Sequence, residues 1–149
     1  MTPAEAGRML EAFAEKMIEA AQDTIRRDHD VLPAVVTVDV SGACQINCFR
    51  GFDDAEQRLA FKRACVEATD AIAVMLFSDA WTRKVAGGAV TGEVLTAFVE
   101  TRDSAEAVAI SCHYTRSPLI FGPVERSAAA TLVGAAFEHT TDRYRSNRS

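Results

Sequence analysis

Apolar residues recur at spacings of three and four along the start of the chain, at Ala6, Met9, Leu10, Phe13, Met17, Ala21 and Ile25. They draw a single stripe down one side of a helix, with Glu5, Glu11, Glu15, Lys16, Glu19 and Arg26 mostly off it. Thr2, Pro3 and Glu5 supply the start signal. A hydroxyl can accept from an early helix N-H, a proline suits the first helical position, and a carboxylate can reach back. The pattern predicts a long amphipathic helix over Pro3 to Asp28, with its narrow stripe packed on a sheet or on a partner helix.

Beyond Pro33 the period changes from that of a helix to that of a strand. Val36, Val38 and Val40 alternate with Val35, Thr37 and Asp39, and Cys44, Ile46 and Cys48 alternate with Gln45 and Asn47. Opposed residues of an antiparallel pair share a face, so the connection must keep these apolar sets together. A three-residue loop, Ser41-Gly42-Ala43, does so by setting Val40 against Cys44, Val38 against Ile46 and Val36 against Cys48, with Gly42 free to take a positive φ. Asp53 followed by Glu56 then signals the start of a second helix, over Ala55 to Ala68. Ala71 to Phe77 is an uninterrupted apolar run, as expected of a strand covered on both faces at the centre of the sheet.

The segment from Ser78 to Gly92, with Gly87 and Gly88 inside it, has little periodicity and reads as a long loop. Residues 93–101 carry helical and strand signals together. The turn residues Arg102-Asp103-Ser104-Ala105 and the alternation of Val108, Ile110, Cys112 and Tyr114 beyond them decide for a hairpin. Leu119 to Phe121, between Pro118 and Pro123, reads as a short edge strand. Ser127 can cap a last helix through Ala128, Leu132, Ala135, Ala136 and His139. The expected architecture is therefore α+β, a mainly antiparallel sheet of five or six strands with flanking helices, in the order α-β-β-α-β-β-β-(β)-α.

Composition adds limits to this picture. With 149 residues, 48% hydrophobic and 25% charged, the chain has the size and balance of one globular domain, and disorder is a poor reading. The expectation is one domain over residues 1–149. Residues 140–149, which include Arg143, Arg145 and Arg148, are expected to form a flexible basic tail. A net charge of -5 disfavours nucleic acid as a partner. No apolar run is long enough for a signal peptide or a membrane span, which leads to the expectation of a cytoplasmic protein with no membrane partner. In that compartment Cys44, Cys48, Cys65 and Cys112 are expected to be reduced and buried as small hydrophobes.

The search for chemistry yields few residues. Cys44 and Cys48 share a face of one strand but lie about 13 Å apart, too far to hold one zinc ion. Cys112 and His113 are neighbours on a strand and point to opposite faces, so they cannot form a nucleophile and its base. His113 is left as a half-exposed candidate contact. His29, between Asp28 and Asp30, suits the cation-favouring end of the first helix. Ser78, Asp79 and His113 could form a triad only by assuming a geometry, with no G-x-S-x-G elbow to support it. The glycines at 87, 88 and 92 match neither a phosphate-binding loop nor a dinucleotide fingerprint. No metal or cofactor is expected. Trp81 stands directly after the central strand, close to Asp79, Arg83 and Lys84, a composition found at interface anchors, although a tryptophan there more often plugs the end of the core, since tryptophan is usually well buried.

Two resemblances add to this reading. The element order resembles that of profilin-like and roadblock-like domains, which implies an antiparallel sheet between helices and work through binding or dimerisation. The stretch from Asp70 to Arg116 is similar to a set of small bacterial and phage-associated proteins of uncharacterised activity. Its marks are Asp70-Ala71, Ser78-Asp79-Ala80-Trp81, Gly92-Glu93-Val94-Leu95, Glu100-Thr101-Arg102-Asp103 and Arg116. Those proteins tend to carry a fuller acidic and arginine cluster where this chain has Glu93, and they imply no activity. The sequence thus points to a non-enzymatic interaction or assembly module that acts as a homo-oligomer or on a protein partner, through the first helix or a sheet edge. The alternative is a small enzyme or ligand-binding protein with its site between the 78–92 loop and the 101–118 hairpin.

Overall fold

The computed structural model describes residues 1–51, 54–83, 90–130 and 136–137, with backbone alone for residues 81–83, 90–91 and 129–130. Two helices and six strands follow in the order α1 (Pro3–Arg26), β1 (Ala34–Val38), β2 (Cys44–Cys48), α2 (Ala55–Thr69), β3 (Ala73–Arg83), β4 (Val90–Thr101), β5 (Glu106–Arg116) and β6 (Leu119–Ala130). The strands form one antiparallel sheet in the order β2-β1-β3-β4-β5-β6, an α+β fold. No described helix is long and apolar enough to cross a membrane.

The first helix starts where its capping box directs it. Thr2 Oγ1 accepts from the Glu5 N-H at 3.1 Å, and the Glu5 carboxylate accepts from the Thr2 N-H at 3.2 Å. Its stripe is spent inside the molecule: Ala6, Leu10, Ala14, Ile18, Ala21 and Ile25 pack on Val36, Val38, Met75, Phe77, Leu95 and Ile110. The buried line runs through Gly7, Ala14 and Ile18, with Met9, Phe13 and Met17 along its margin. α2 lies on the opposite face, where Cys65 and Val66 meet Val35, Val74 and Phe137. Its cap is Asp54, whose carboxylate accepts from the Gln57 N-H at 2.8 Å, one residue later than the expected Asp53, which lies outside the described residues.

The structure corrects four expectations. The β1-β2 loop is longer than the expected three residues, and the register is Val38 with Cys44, Val36 with Ile46 and Ala34 with Cys48. The Asp39 carboxylate explains it, since Oδ1 accepts from the N-H groups of Ser41 at 2.9 Å and Ala43 at 3.0 Å and so organises Asp39 to Ala43 as the turn. Gly42 takes the expected positive φ, and Val40 leaves the strand for the exposed loop. Second, Cys44 and Cys48 are exposed rather than buried, because β2 is the edge strand and neither helix reaches across it. Cys65 and Cys112 are buried as expected.

Third, most of the expected 78–92 loop is sheet: β3 runs on to Arg83 and β4 begins at Val90, with Asp79 opposite Leu95 and Trp81 opposite Glu93. Fourth, β6 is far longer than a short strand at Leu119 to Phe121, and Ser127 pairs with Ala109 in the sheet instead of capping a helix. Pairing with β5 satisfies backbone groups that a helix of the same alanines would have satisfied internally, so the sheet overrides helix propensity over residues 127–130. The remainder of the expected last helix lies outside the described residues apart from the buried Ala136 and Phe137. The basic tail at 140–149 also lies outside them. Residues 93–101 form a strand, as the hairpin argument requires.

Candidate functional site

The α1-facing side of β3, β4 and β5 is apolar along most of its length and turns polar at one end. Alternation carries Phe77 to Asp79 on β3, Leu95 to Glu93 on β4, and Cys112 to Tyr114 and Arg116 on β5, and the register sets these residues side by side beyond Ile25 and Arg26 of α1. The Tyr114 hydroxyl lies 2.7 Å from each carboxylate oxygen of Asp79 and also contacts Glu93 Oε2. Arg116 Nε donates to Glu93 Oε1 at 2.7 Å, its Nη2 lies 3.8 Å from Asp79 Oδ2, and its guanidinium stands over the Tyr114 ring. On the far side Phe121 packs on Tyr114 with ring centroids 5.3 Å apart, and the Arg26 guanidinium covers Phe121 at 5.0 Å.

The electrostatics separate the two carboxylates. Burial raises the Asp79 pKa, and the Glu93 charge adds to the rise, outweighing the Tyr114 hydrogen bond and Arg116. Burial works upward on Glu93 too, but the hydrogen bonds from Arg116 and Tyr114 prevail and hold Glu93 below its ordinary value. Tyr114 is pushed upward by burial and by both carboxylates, so it stays a phenol and a donor. Arg116 is held in its charged form by Glu93. The arrangement is an aspartate that gives up its proton less readily than usual, a glutamate that gives it up more readily and a phenol between them.

Asp79 also forms part of the wall of a cleft of about 310 Å³, with Asp30, Leu32, Pro33, Arg50 and Arg58 among its other lining residues. The cleft therefore presents both signs of charge. Among the described residues no group of three His, Cys, Asp or Glu side chains is placed to hold a metal ion.

Of the residues singled out from sequence, Asp79 is in the cluster. Trp81 and Arg83 lie on the same strand, their side chains not described, and Lys84 lies outside the described residues. His113 is exposed and points away from Tyr114, while Ser78 and Asp79 point to opposite faces, so no Ser78-Asp79-His113 triad forms. The sequence pattern taken strand by strand does not mark Glu93, Tyr114 or Arg116 as site residues. The signal that could have found them is a run of polar residues falling on the otherwise apolar parity of three successive strands.

A second feature is the outer edge of β2. The strand reads Cys44-Gln45-Ile46-Asn47-Cys48, with no charge and no proline, and Ile46 is 50% exposed. The opposite edge, β6, carries Pro123, Glu125 and Arg126 and a register shift opposite Cys112 to Tyr114, features that discourage further strand pairing. A scan of protein-family models and searches of curated proteins and of solved structures found no match to this chain.

Proposed function

We propose that this protein is a non-enzymatic assembly module that pairs with a second copy of itself along the edge of β2. The observation that carries the reading is the contrast between the two sheet edges: β6 is guarded by proline, charge and a bulge, and β2 by none of these. Exposed Ile46 on β2 and exposed Val40 in the loop that precedes it add apolar surface. The first helix is not the interface in this reading, because its stripe is already buried against the sheet. Four free cysteines fit a reducing, cytoplasmic setting, and the net charge of -5 fits a protein partner better than a nucleic acid.

Light scattering on the reduced protein at tens to hundreds of micromolar tests this reading, since a short strand pairing alone is expected to be weak. A concentration-dependent dimer that Ile46→Lys abolishes supports it. A monomer throughout that range overturns it.

A second reading, a small ligand-binding protein, draws on one observation: Asp79 lines a cleft that also carries Asp30, Arg50 and Arg58, and so presents both signs of charge. A site of this kind suits a small molecule bearing both an amine and a carboxylate. Thermal stabilisation by free amino acids that Asp79→Asn removes would support it, and no shift with any of them would remove it.

A further inference from the structure

The β2 sequence is nearly palindromic. About Ile46 it has an amide on each side, Gln45 and Asn47, and a cysteine beyond each amide, Cys44 and Cys48. The hydrogen-bond phase of the hairpin gives this symmetry a structural meaning. Asp39 N-H donates to the Ala43 carbonyl at 3.0 Å, and Phe49 N-H donates to the Pro33 carbonyl at 3.1 Å. With the observed register, the odd-numbered residues of β2 therefore turn their backbone groups toward β1. Cys44, Ile46 and Cys48 turn theirs outward, to the side on which no described strand pairs. Among the described residues, the backbone donors and acceptors of β2 left without a strand partner stand at the three positions the palindrome relates.

We propose that β2 pairs with β2 of a second copy in an antiparallel register centred on Ile46, that this sets Cys44 against Cys48 of the other copy, and that a small-molecule disulfide can lock the pair covalently. The inference rests on the edge-pairing reading and adds its register and its regulation.

In this register Ile46 faces its own copy, the amides of Gln45 and Asn47 face each other, and about six backbone hydrogen bonds close across the two-fold axis. Cys44 and Cys48 of the other copy form a hydrogen-bonded cross-strand pair with Cα atoms about 5.5 Å apart, inside the range a disulfide spans. The same two cysteines within one chain are four strand positions apart, about 13 Å, and cannot be joined. Both thiols are exposed, whereas Cys65 and Cys112 are buried.

The covalent step is thiol-disulfide exchange. The Cys44 thiolate attacks one sulfur of oxidised glutathione, forming a mixed disulfide and releasing one glutathione thiolate. The Cys48 thiolate of the other copy then attacks the protein sulfur of that mixed disulfide and releases the second glutathione. The two protein thiols lose two electrons and two protons, and oxidised glutathione is reduced to two thiols. A pairing too small to be tight on its own thus becomes stable when the glutathione pool turns oxidising, and reduction reverses it.

The test uses the full chain at high micromolar concentration, treated with oxidised glutathione at mildly alkaline pH. Products are read by non-reducing electrophoresis and peptide mass mapping. The wild type is expected to give a dimer joined through Cys44-Cys48 peptides. Cys44→Ser and Cys48→Ser, each alone, are expected to give at least roughly tenfold less, because each then faces serine. An equimolar mixture of the two variants is expected to cross-link again, through the one remaining complementary pair. Undiminished cross-linking by either variant alone would overturn the register. So would a mixture, or a wild type, that gives only glutathione adducts while light scattering finds the reduced dimer, and the assembly reading would then still stand. A monomer by light scattering with no cross-link would overturn both.

Discussion

Tyr114 directs one hydroxyl proton at two carboxylates: its oxygen lies 2.7 Å from both oxygens of Asp79 and also contacts Glu93. One O-H can satisfy only one of them, so with both carboxylates ionised one acceptor faces the phenol oxygen without a hydrogen between. A proton on Asp79 resolves the conflict, and the Asp79 pKa is raised accordingly, by burial first and then by Glu93. A raised carboxyl pKa means that the native state holds the proton more firmly than the unfolded chain. The stabilisation is complete below the ordinary value of 3.8 and is lost as pH rises through the folded pKa. Glu93 is shifted the other way, so its contribution is present above 4.5 and lost as pH falls below that. Asp79→Asn keeps the shape and supplies donors without a charge. It is expected to stabilise the protein at pH 7 by on the order of 1 kcal/mol. The gain should shrink toward pH 4, as followed by thermal unfolding across that range.

The backbone of α1 comes so close to β4 that a Cβ built on Gly7 would stand 2.7 Å from Thr101 Cγ2. Gly7→Ala therefore sets two effects against each other. Alanine gains about 1 kcal/mol of helix propensity over glycine, while overpacking a tight contact costs about 1 to 3 kcal/mol. Thr101 is β-branched and fixed in a strand, so it has little room to give, and the net effect is expected to be destabilising. Thr101→Ser removes the methyl group that clashes. Urea unfolding of both single variants and the pair should show Gly7→Ala becoming neutral or stabilising in the Thr101→Ser background.

How far the fold was legible follows from where each determinant sits. The first helix, the core of β1 and the centre of β3 carry their pattern locally, in the Thr2-Pro3-Glu5 cap and in unbroken apolar periodicity. The β1-β2 register was legible only in its parity, because apolar matching cannot tell registers that differ by two positions, and the Asp39 turn chooses between them. The far end of β3 was hidden because Asp79 breaks the apolar run, and the first three residues of β4, up to Gly92, because they continue a stretch with little periodicity. Asp79 and Glu93 both interrupt an apolar face. They are tolerated on an inner face through Tyr114 and Arg116, which are distant in sequence. The same distance hid most of the candidate site. Cys44 and Cys48 have a strand pattern, but whether a strand is central or at an edge is a property of the whole sheet, so their exposure could not be read from their own segment.

Thr37 lies in the middle of β1, 1% exposed, between Gln45 of β2 and Val74 of β3, and its hydroxyl has no hydrogen-bond partner among the described residues. Its neighbours on that face include Val35 and Val74, which pack beneath α2. A buried hydroxyl with no partner costs about 1 to 3 kcal/mol. Valine has nearly the same shape and suits a strand at least as well. Thr37→Val is therefore expected to stabilise the protein by about 1 kcal/mol, seen as a higher denaturation midpoint in urea with an unchanged slope.

On the face opposite α1, Lys62 of α2 and Glu100 of β4 form an ion pair at 2.6 Å with side chains 5% and 3% exposed. Glu100 also accepts from the Ala136 N-H at 3.0 Å, and the Lys62 ammonium stands over the Phe98 ring. Removing two charges from water is costly, and their mutual attraction roughly offsets that cost only while both are present. Lys62→Met alone leaves Glu100 buried without its cation, and a loss of about 3 to 5 kcal/mol is expected. Glu100→Gln should cost less than this, because the amide oxygen can still accept from Ala136 while Lys62 can turn toward the Phe98 ring. Lys62→Met with Glu100→Leu removes both charges, and the double variant should recover most of the loss. It should not recover all of it, since leucine leaves the Ala136 N-H without its acceptor. A double-mutant cycle through Lys62→Met, Glu100→Leu and the double variant, followed by urea unfolding, measures the coupling, which is expected to exceed about 2 kcal/mol in favour of the intact pair. Additive losses would mean that the two charges are stabilised by their surroundings and not by each other.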